Sequence, residues 1–144
     1  GVPVEVVPGV TSAIAAPSAA GIPVTHRGIT HEVVFVSGHL APEDPQSLVD
    51  WPALGRLRGT VVLLMAVERL DAIAAALVAH GRPASTPVAV VQEGTMPGQR
   101  QVIATLEDVA AVVGQAGLGP PAIVVVGDVV RVGAELAALT AALR

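Results

Sequence analysis

The sequence predicts an α/β domain: a mixed, mostly buried sheet of about five strands flanked by helices. Three observations predict it. Short β-branched runs alternate along the chain with alanine-rich stretches of helical period. Most of these segments close on Gly or Pro. The β-branched runs are also apolar almost throughout rather than alternating, which is the pattern of strands covered on both faces. The 144 residues suit one domain, and 52% hydrophobic residues supply an ample core. Phe35 and Trp51 are the only aromatics, so that core must be aliphatic.

The elements follow in order. "VEVV" (Val4 to Val7) reads as a strand ended by Pro8-Gly9. Thr11 or Ser12 can cap a helix from Ser12 to Ala20, with Pro17 kinking it and Gly21 closing it. "VVFVSG" (Val33 to Gly38) is a buried strand, and the proline-rich "APEDPQSLVDWP" (Ala41 to Pro52) is a mobile loop. Asp50 caps a short helix running to Leu57, with Pro52 in its first turn. "TVVLLM" (Thr60 to Met65) is the clearest strand. Leu70, Ile73, Ala74, Leu77 and Val78 give helical spacing to Arg69–Gly81. "PVAVVQ" (Pro87 to Gln92), the turn Glu93 to Gly98 and "QRQVIAT" (Gln99 to Thr105) form a hairpin, which makes the sheet mixed. A helix over Leu106 to Gly117, a strand over Ala122 to Val130 interrupted at Gly127, and a helix from Gly133 to Arg144 complete the chain.

Composition excludes several functions. Without stacking aromatics or a basic stripe, and with a formal net charge of -4, nucleic acid is not a partner. All eight basic residues are arginine, which reads as genomic bias. The absence of cysteine removes disulfides, thiolate metal sites and a cysteine nucleophile. His31 and His39 lack HxH or HExxH company, so no metal site is expected. No signal peptide is visible and no apolar run reaches membrane-spanning length, so a cytoplasmic protein with no membrane partner is the expectation. A chain that opens inside a strand without methionine is expected to be a fragment or a processed product.

The polar atoms best placed for chemistry sit where strands and turns end: Thr11-Ser12, Ser37-Gly38-His39, Met65-Ala66 and Glu93-Gly94-Thr95. Ligands of open α/β sheets gather at the carboxyl ends of strands. A glycine there lets a ligand approach the backbone. Taken singly, each stretch reads equally well as an ordinary loop. Arg27 can pair with an anion or with a surface carboxylate, and Arg100 can anchor an anion or cap a sheet edge. No serine sits in a G-x-S-x-G elbow, and no GxGxxG or P-loop occurs.

Four stretches together, "VEVVPGVTSAIAAPSAAGIPVTHRG", "VVLLMAVERL", "PVAVVQEGTMPGQRQVIATL" and "PAIVVVGDVV", resemble the tetrapyrrole methylase family. "PGVTSA…GIPVTHRG" resembles its uroporphyrinogen-III subgroup. The likeness covers nearly the whole chain and weakens over Pro42 to Gly55. It implies the C-terminal lobe of a two-domain enzyme, with S-adenosylmethionine folded into the cleft between the lobes. The implied reaction methylates two ring carbons of uroporphyrinogen III to give precorrin-2, for sirohaem and cobalamin synthesis. The implied assembly is a homodimer.

Residue by residue, the resemblance places Thr11, Ser12, Met65 and Gly94 against the cofactor. Ala66 stands where glycine is usual, so its methyl is expected to crowd the nucleoside. His26 and Arg27 match a "THR" beside the tetrapyrrole, where an arginine can clamp a carboxylate. No residue is assigned a catalytic role, although His26 is the best available type for a proton acceptor. The family's "GxGPGD" and "GGDP" signatures are absent, so the N-terminal lobe is expected to be missing and the chain alone inactive. Two alternatives stay open: a tetrapyrrole methylase with another acceptor, or a non-catalytic dimerising α/β module.

Overall fold

A computed structural model describes residues 1–142. Its strands are β1 (Val33–Ser37), β2 (Thr60–Leu64), β3 (Pro87–Gln92), β4 (Arg100–Thr105) and β5 (Ala122–Val126). They form one sheet in the order β1-β2-β5-β3-β4. β1 and β2 are parallel, while β5 runs antiparallel to both β2 and β3, and β4 antiparallel to β3. The carboxyl ends of β1, β2 and β3 therefore share one edge with the amino ends of β4 and β5.

The central strands alternate their side chains between two apolar layers. Val61, Leu63, Val88, Val90, Val124 and Val126 face α2 (Trp51–Arg56), α3 (Leu70–Ala79) and α4 (Val109–Ala116). Val62, Ala89, Val91, Ile123 and Val125 face α1 (Ser12–Ala19) and the start of α5 (Val129–Ala142). Both faces are covered, which explains why these strands read as unbroken apolar runs. Each fully buried valine or leucine contributes roughly 1.5–3 kcal/mol.

Local signals act as their chemistry dictates. Thr11 caps α1, its hydroxyl accepting from Ala13 N–H at 3.3 Å. Gly21, in the left-handed region at φ +74, lets Ile22 N–H reach the Pro17 carbonyl and close the helix. Asp50 caps α2 through Ala53 N–H at 2.9 Å. The proline-rich loop after β1 is tied at its base, where Trp51 Nε1 donates to Ser47 Oγ.

Three expected elements differ. Val4–Val7 is not a strand: residues 1–11 carry no regular structure, and Val2, Val4, Val6, Val7 and Val10 are all exposed. β-propensity alone does not make a strand, and this segment pairs with none of the described strands. The strand expected over Ala122–Val130 stops at Val126, because Gly127 at φ +142 breaks it. Val129 and Val130 instead open α5 and bury against the second core layer. The helix expected from Leu106 begins at Val109. The Leu106 and Glu107 amides are already given to the Thr86 and Ala84 carbonyls, which holds that stretch in a turn. Asp108 completes the turn by accepting from both Thr105 N–H and its hydroxyl, each at 2.7 Å. The backbone bond first, and the hydroxyl second, hold the Asp108 carboxyl below its ordinary pKa. The end of the expected terminal helix, at Arg144, lies outside the described residues.

Candidate functional site

The sheet edge that carries the exits of β1, β2 and β3 is open. A cleft of about 740 Å³ lies there, within the size range of small-molecule sites. Three strands and one helix build it. β2 contributes Leu64 and leads to Met65, β3 contributes Val91 and leads to Glu93 and Gly94, and β5 contributes Ala122, just after Pro120 and Pro121. Ser12 and Ala16 of α1 close one side, and Val67, Glu68 and Met96 complete the wall.

The strand exits turn sharply. Met65 (φ +55), Glu93 (φ +49) and Thr95 (φ +75) are the positive-φ residues other than glycine among the described residues, and all three stand at this edge. Side chains with a β-carbon hold that region at a cost of about 1–3 kcal/mol, and such outliers cluster at functional sites. Met65 is 65% exposed at the mouth of the cleft, where a core methionine would be covered.

Packing explains how the helix meets the strands. A Cβ on Gly94 would run into the Cβ of Ala16, so the bare position lets helix α1 pack close against the exit of β3. The result is that the start of α1 lies beside the exit of β3. Gln99 braces the pair: its Oε1 accepts from Thr95 N–H at 2.8 Å, and its Nε2 donates to the Ala19 carbonyl at 3.4 Å. Gln92 Oε1 accepts from Gly119 N–H at 3.0 Å, fixing the approach to β5.

The structure brings Ser12, Met65 and Gly94 to one cleft, with Thr11 immediately before Ser12. Ala66 does not line it. Its side chain is fully buried and packs near Ile73 and the backbone of Gly38, so its methyl faces the core. His26 and Arg27 also lie off the cleft lining. They form an exposed hairpin bridged between His26 and Thr30, and His26 Nδ1 donates to the Arg27 carbonyl at 2.8 Å. Arg100 donates to the Ala116 carbonyl and so caps α4.

Sequence reasoning missed the walls. Pro120-Pro121 is not singled out by the sequence reading, and Val91 and Leu64 enter it only as strand residues. It placed Ser37-Gly38-His39 at a strand end without pairing the two side chains. His39 Nδ1 lies 3.0 Å from Ser37 Oγ, an exposed pair on the same sheet edge. The S-x-H spacing at the end of a strand could have indicated that pairing, since alternate residues share a face.

The lining suits an adenosyl group. Apolar side chains from Leu64, Met65, Val91 and Pro121 offer a surface for a purine, and Ser12 offers one hydroxyl at a helix start. Nothing in the lining supplies a nucleophile of the activated kind that covalent catalysis requires. No helix among the described residues is long and apolar enough to cross a membrane.

Comparison with known proteins identifies the family and the fold. Residues 1–110 match the family described as Tetrapyrrole (Corrin/Porphyrin) Methylases. The chain is 48% identical over 127 residues to an S-adenosyl-L-methionine-dependent uroporphyrinogen III methyltransferase of Methanosarcina barkeri, covering 88% of this chain and 50% of that protein. It is 45% identical over 137 residues to a sirohaem synthase of Nitrosospira multiformis, covering 95% of this chain and 29% of that one. Its fold matches a uroporphyrin-III C-methyltransferase of Thermus thermophilus complexed with S-adenosylhomocysteine, at 42% identity and a TM-score of 0.74, over 91% of this chain and 55% of that one. The chain thus spans about half the length of the relatives that are methyltransferases alone, and less of the longer synthase.

Proposed function

The chain belongs to the tetrapyrrole methylase family, and on that premise we propose that it forms one wall of the S-adenosylmethionine cleft of a uroporphyrinogen-III C-methyltransferase. One observation carries the reading: Ser12, Met65 and Gly94, far apart in sequence, line the same cleft at the carboxyl ends of the strands. When bound, S-adenosylmethionine supplies a methyl group already activated on a sulfonium. The protein's task is then orientation and exclusion of water. The apolar wall of Leu64, Val91 and Pro121 excludes water from the nucleoside, and the fixed exits of β2 and β3 hold the cleft in shape.

In this reading the acceptor is methylated at two ring carbons to give precorrin-2, which sirohaem and cobalamin synthesis consume. Each transfer moves the S-methyl to a ring carbon, the electron pair of the broken S–CH3 bond staying on sulfur. The acceptor loses a proton from elsewhere in the macrocycle, because the methylated carbon carries none. No described residue of the cleft lining is assigned as the acceptor of that proton. The second wall of the cleft, and the groups that complete catalysis, come from an N-terminal lobe, in a homodimeric enzyme. Arg27, on an exposed hairpin outside the cleft lining, is the side chain offered to the carboxylates of the acceptor.

The test is complementation. Residues 1–144 alone should show little or no methyl transfer, and adding a separately made N-terminal half of a relative should restore cofactor binding and turnover. Robust turnover by the chain alone overturns the shared-cleft reading.

A further inference from the structure

Glu93 is an unusual residue for its position. It ends β3 in the left-handed region, where glycine or asparagine is the ordinary choice. Three features hold it there. Its N–H donates to the Pro121 carbonyl at 3.0 Å, and its own carbonyl accepts from Met96 N–H at 2.9 Å. Gly98 leaves room for the carboxylate, because a Cβ on Gly98 would run into Glu93 Oε2. The carboxylate thus lies over Gly98 at the far end of the turn, and Glu93 is half-buried and among the residues lining the cleft.

The rest of the lining makes its charge consequential. The other charged residue there is Glu68, which is exposed, and no arginine or histidine lines the cleft among the described residues. The wall is therefore apolar with a fixed negative charge and no positive counterpart. Such a site distinguishes ligands by charge more than by shape.

We infer that Glu93 is a specificity-determining residue of the cleft, whose carboxylate favours a cationic adenosyl ligand over a neutral one of the same shape. The inference rests on the donor site proposed above and deepens it. The amino-acid tails of S-adenosylmethionine and S-adenosylhomocysteine are alike, and only the first carries a positive sulfur. When the S–CH3 bond breaks, the electron pair stays on sulfur and its charge is lost. A carboxylate in the wall thus holds the donor and loosens its grip on the spent product. Across a half-buried separation of several ångströms, one charge pair is worth roughly a five- to tenfold difference in affinity.

Titration calorimetry tests this on the chain, and on the chain joined to the amino-terminal half that its relatives carry. The ligands are S-adenosylmethionine and S-adenosylhomocysteine. Glu93→Gln should weaken S-adenosylmethionine about five- to tenfold and leave S-adenosylhomocysteine within about twofold. Glu93→Asn, which suits the left-handed backbone, should do the same, separating loss of charge from loss of fold. Added salt should narrow the wild-type preference. An equal loss for both ligands, or an unchanged ratio in both variants, overturns the inference and leaves the donor site standing. If the wild type binds neither ligand in either form, the donor site falls and this inference falls with it.

Discussion

The two edges of the sheet are built in opposite ways. At the cleft edge the strands exit through strained residues, Met65 and Glu93, and their side chains meet solvent. At the far edge every exit is fastened. Arg82, almost wholly buried, donates to the carbonyls of Leu57 (3.0 Å), Gly59 (2.7 Å) and Val126 (3.4 Å). Gly127 N–H donates to the Pro87 carbonyl, and the amides of Leu106 and Glu107 bind back to the loop before β3. Burial lowers the Arg82 pKa from its ordinary value, and Asp128 partly restores it. The difference teaches that the strain at one edge is held by closure at the other. A strand fixed at its start and buried on both faces cannot relax its exit, so the cleft keeps its shape without a ligand.

The largest expected effect breaks the closed edge. Arg82→Met keeps the apolar stem and removes donors from three carbonyls. Loss of charge-assisted bonds to buried acceptors should lower stability by about 3 kcal/mol, read by urea unfolding. If closure supports the cleft, hydrogen exchange at Met65 and Glu93 should rise in the same variant. A stability loss without faster exchange there would separate the two edges and end the comparison. A smaller effect strikes the open edge. Gly94→Ala places a methyl against Ala16 and should cost about 2 kcal/mol through displacement of α1. Adding Ala16→Gly should recover part of that loss, even though glycine weakens the helix. No recovery would mean that α1 is not what the bare position accommodates.

These edges were not equally legible in the sequence. The strands could be read because burial on both faces leaves an uninterrupted apolar run, as in Val88–Val91. The helix ends could be read because Gly21 and Gly81 take positive φ after alanine-rich segments. Met65 and Gly94 could be placed at strand ends and Ser12 at a helix start, and resemblance supplied the role expected of them. That Ala66 packs into the core while Met65 lines the cleft could not be read, because adjacent residues at a strand exit point to opposite sides and spacing alone does not say which side is open. Val4–Val7 misled because composition reports the propensity of a strand and not the presence of a partner. Val129-Val130 misled for the converse reason: β-branched residues enter a helix when that helix buries them. The fastening by Arg82 was invisible, because it joins residues 23 to 44 positions away along the chain.

The smallest expected effect concerns one imperfection in the closed edge. Thr60 begins β2 and is fully buried, yet its hydroxyl has no hydrogen-bond partner among the described residues. It lies beside Gly127, close to the Arg82 anchor. A buried hydroxyl without a partner costs about 1–3 kcal/mol in lost hydration. Valine has the same shape and equal ease in a strand. Thr60→Val should therefore stabilise the chain by about 1 kcal/mol, which is roughly 2–4 °C in Tm for a domain of this size. Ligand affinity at the opposite edge should not change. A Tm that falls by a similar amount would mean that the hydroxyl is satisfied by an enclosed water shared with the Arg82 cluster. The closed edge would then owe its rigidity to a hydrated network rather than to dry packing, and Arg82→Met would be expected to admit further water there instead of collapsing.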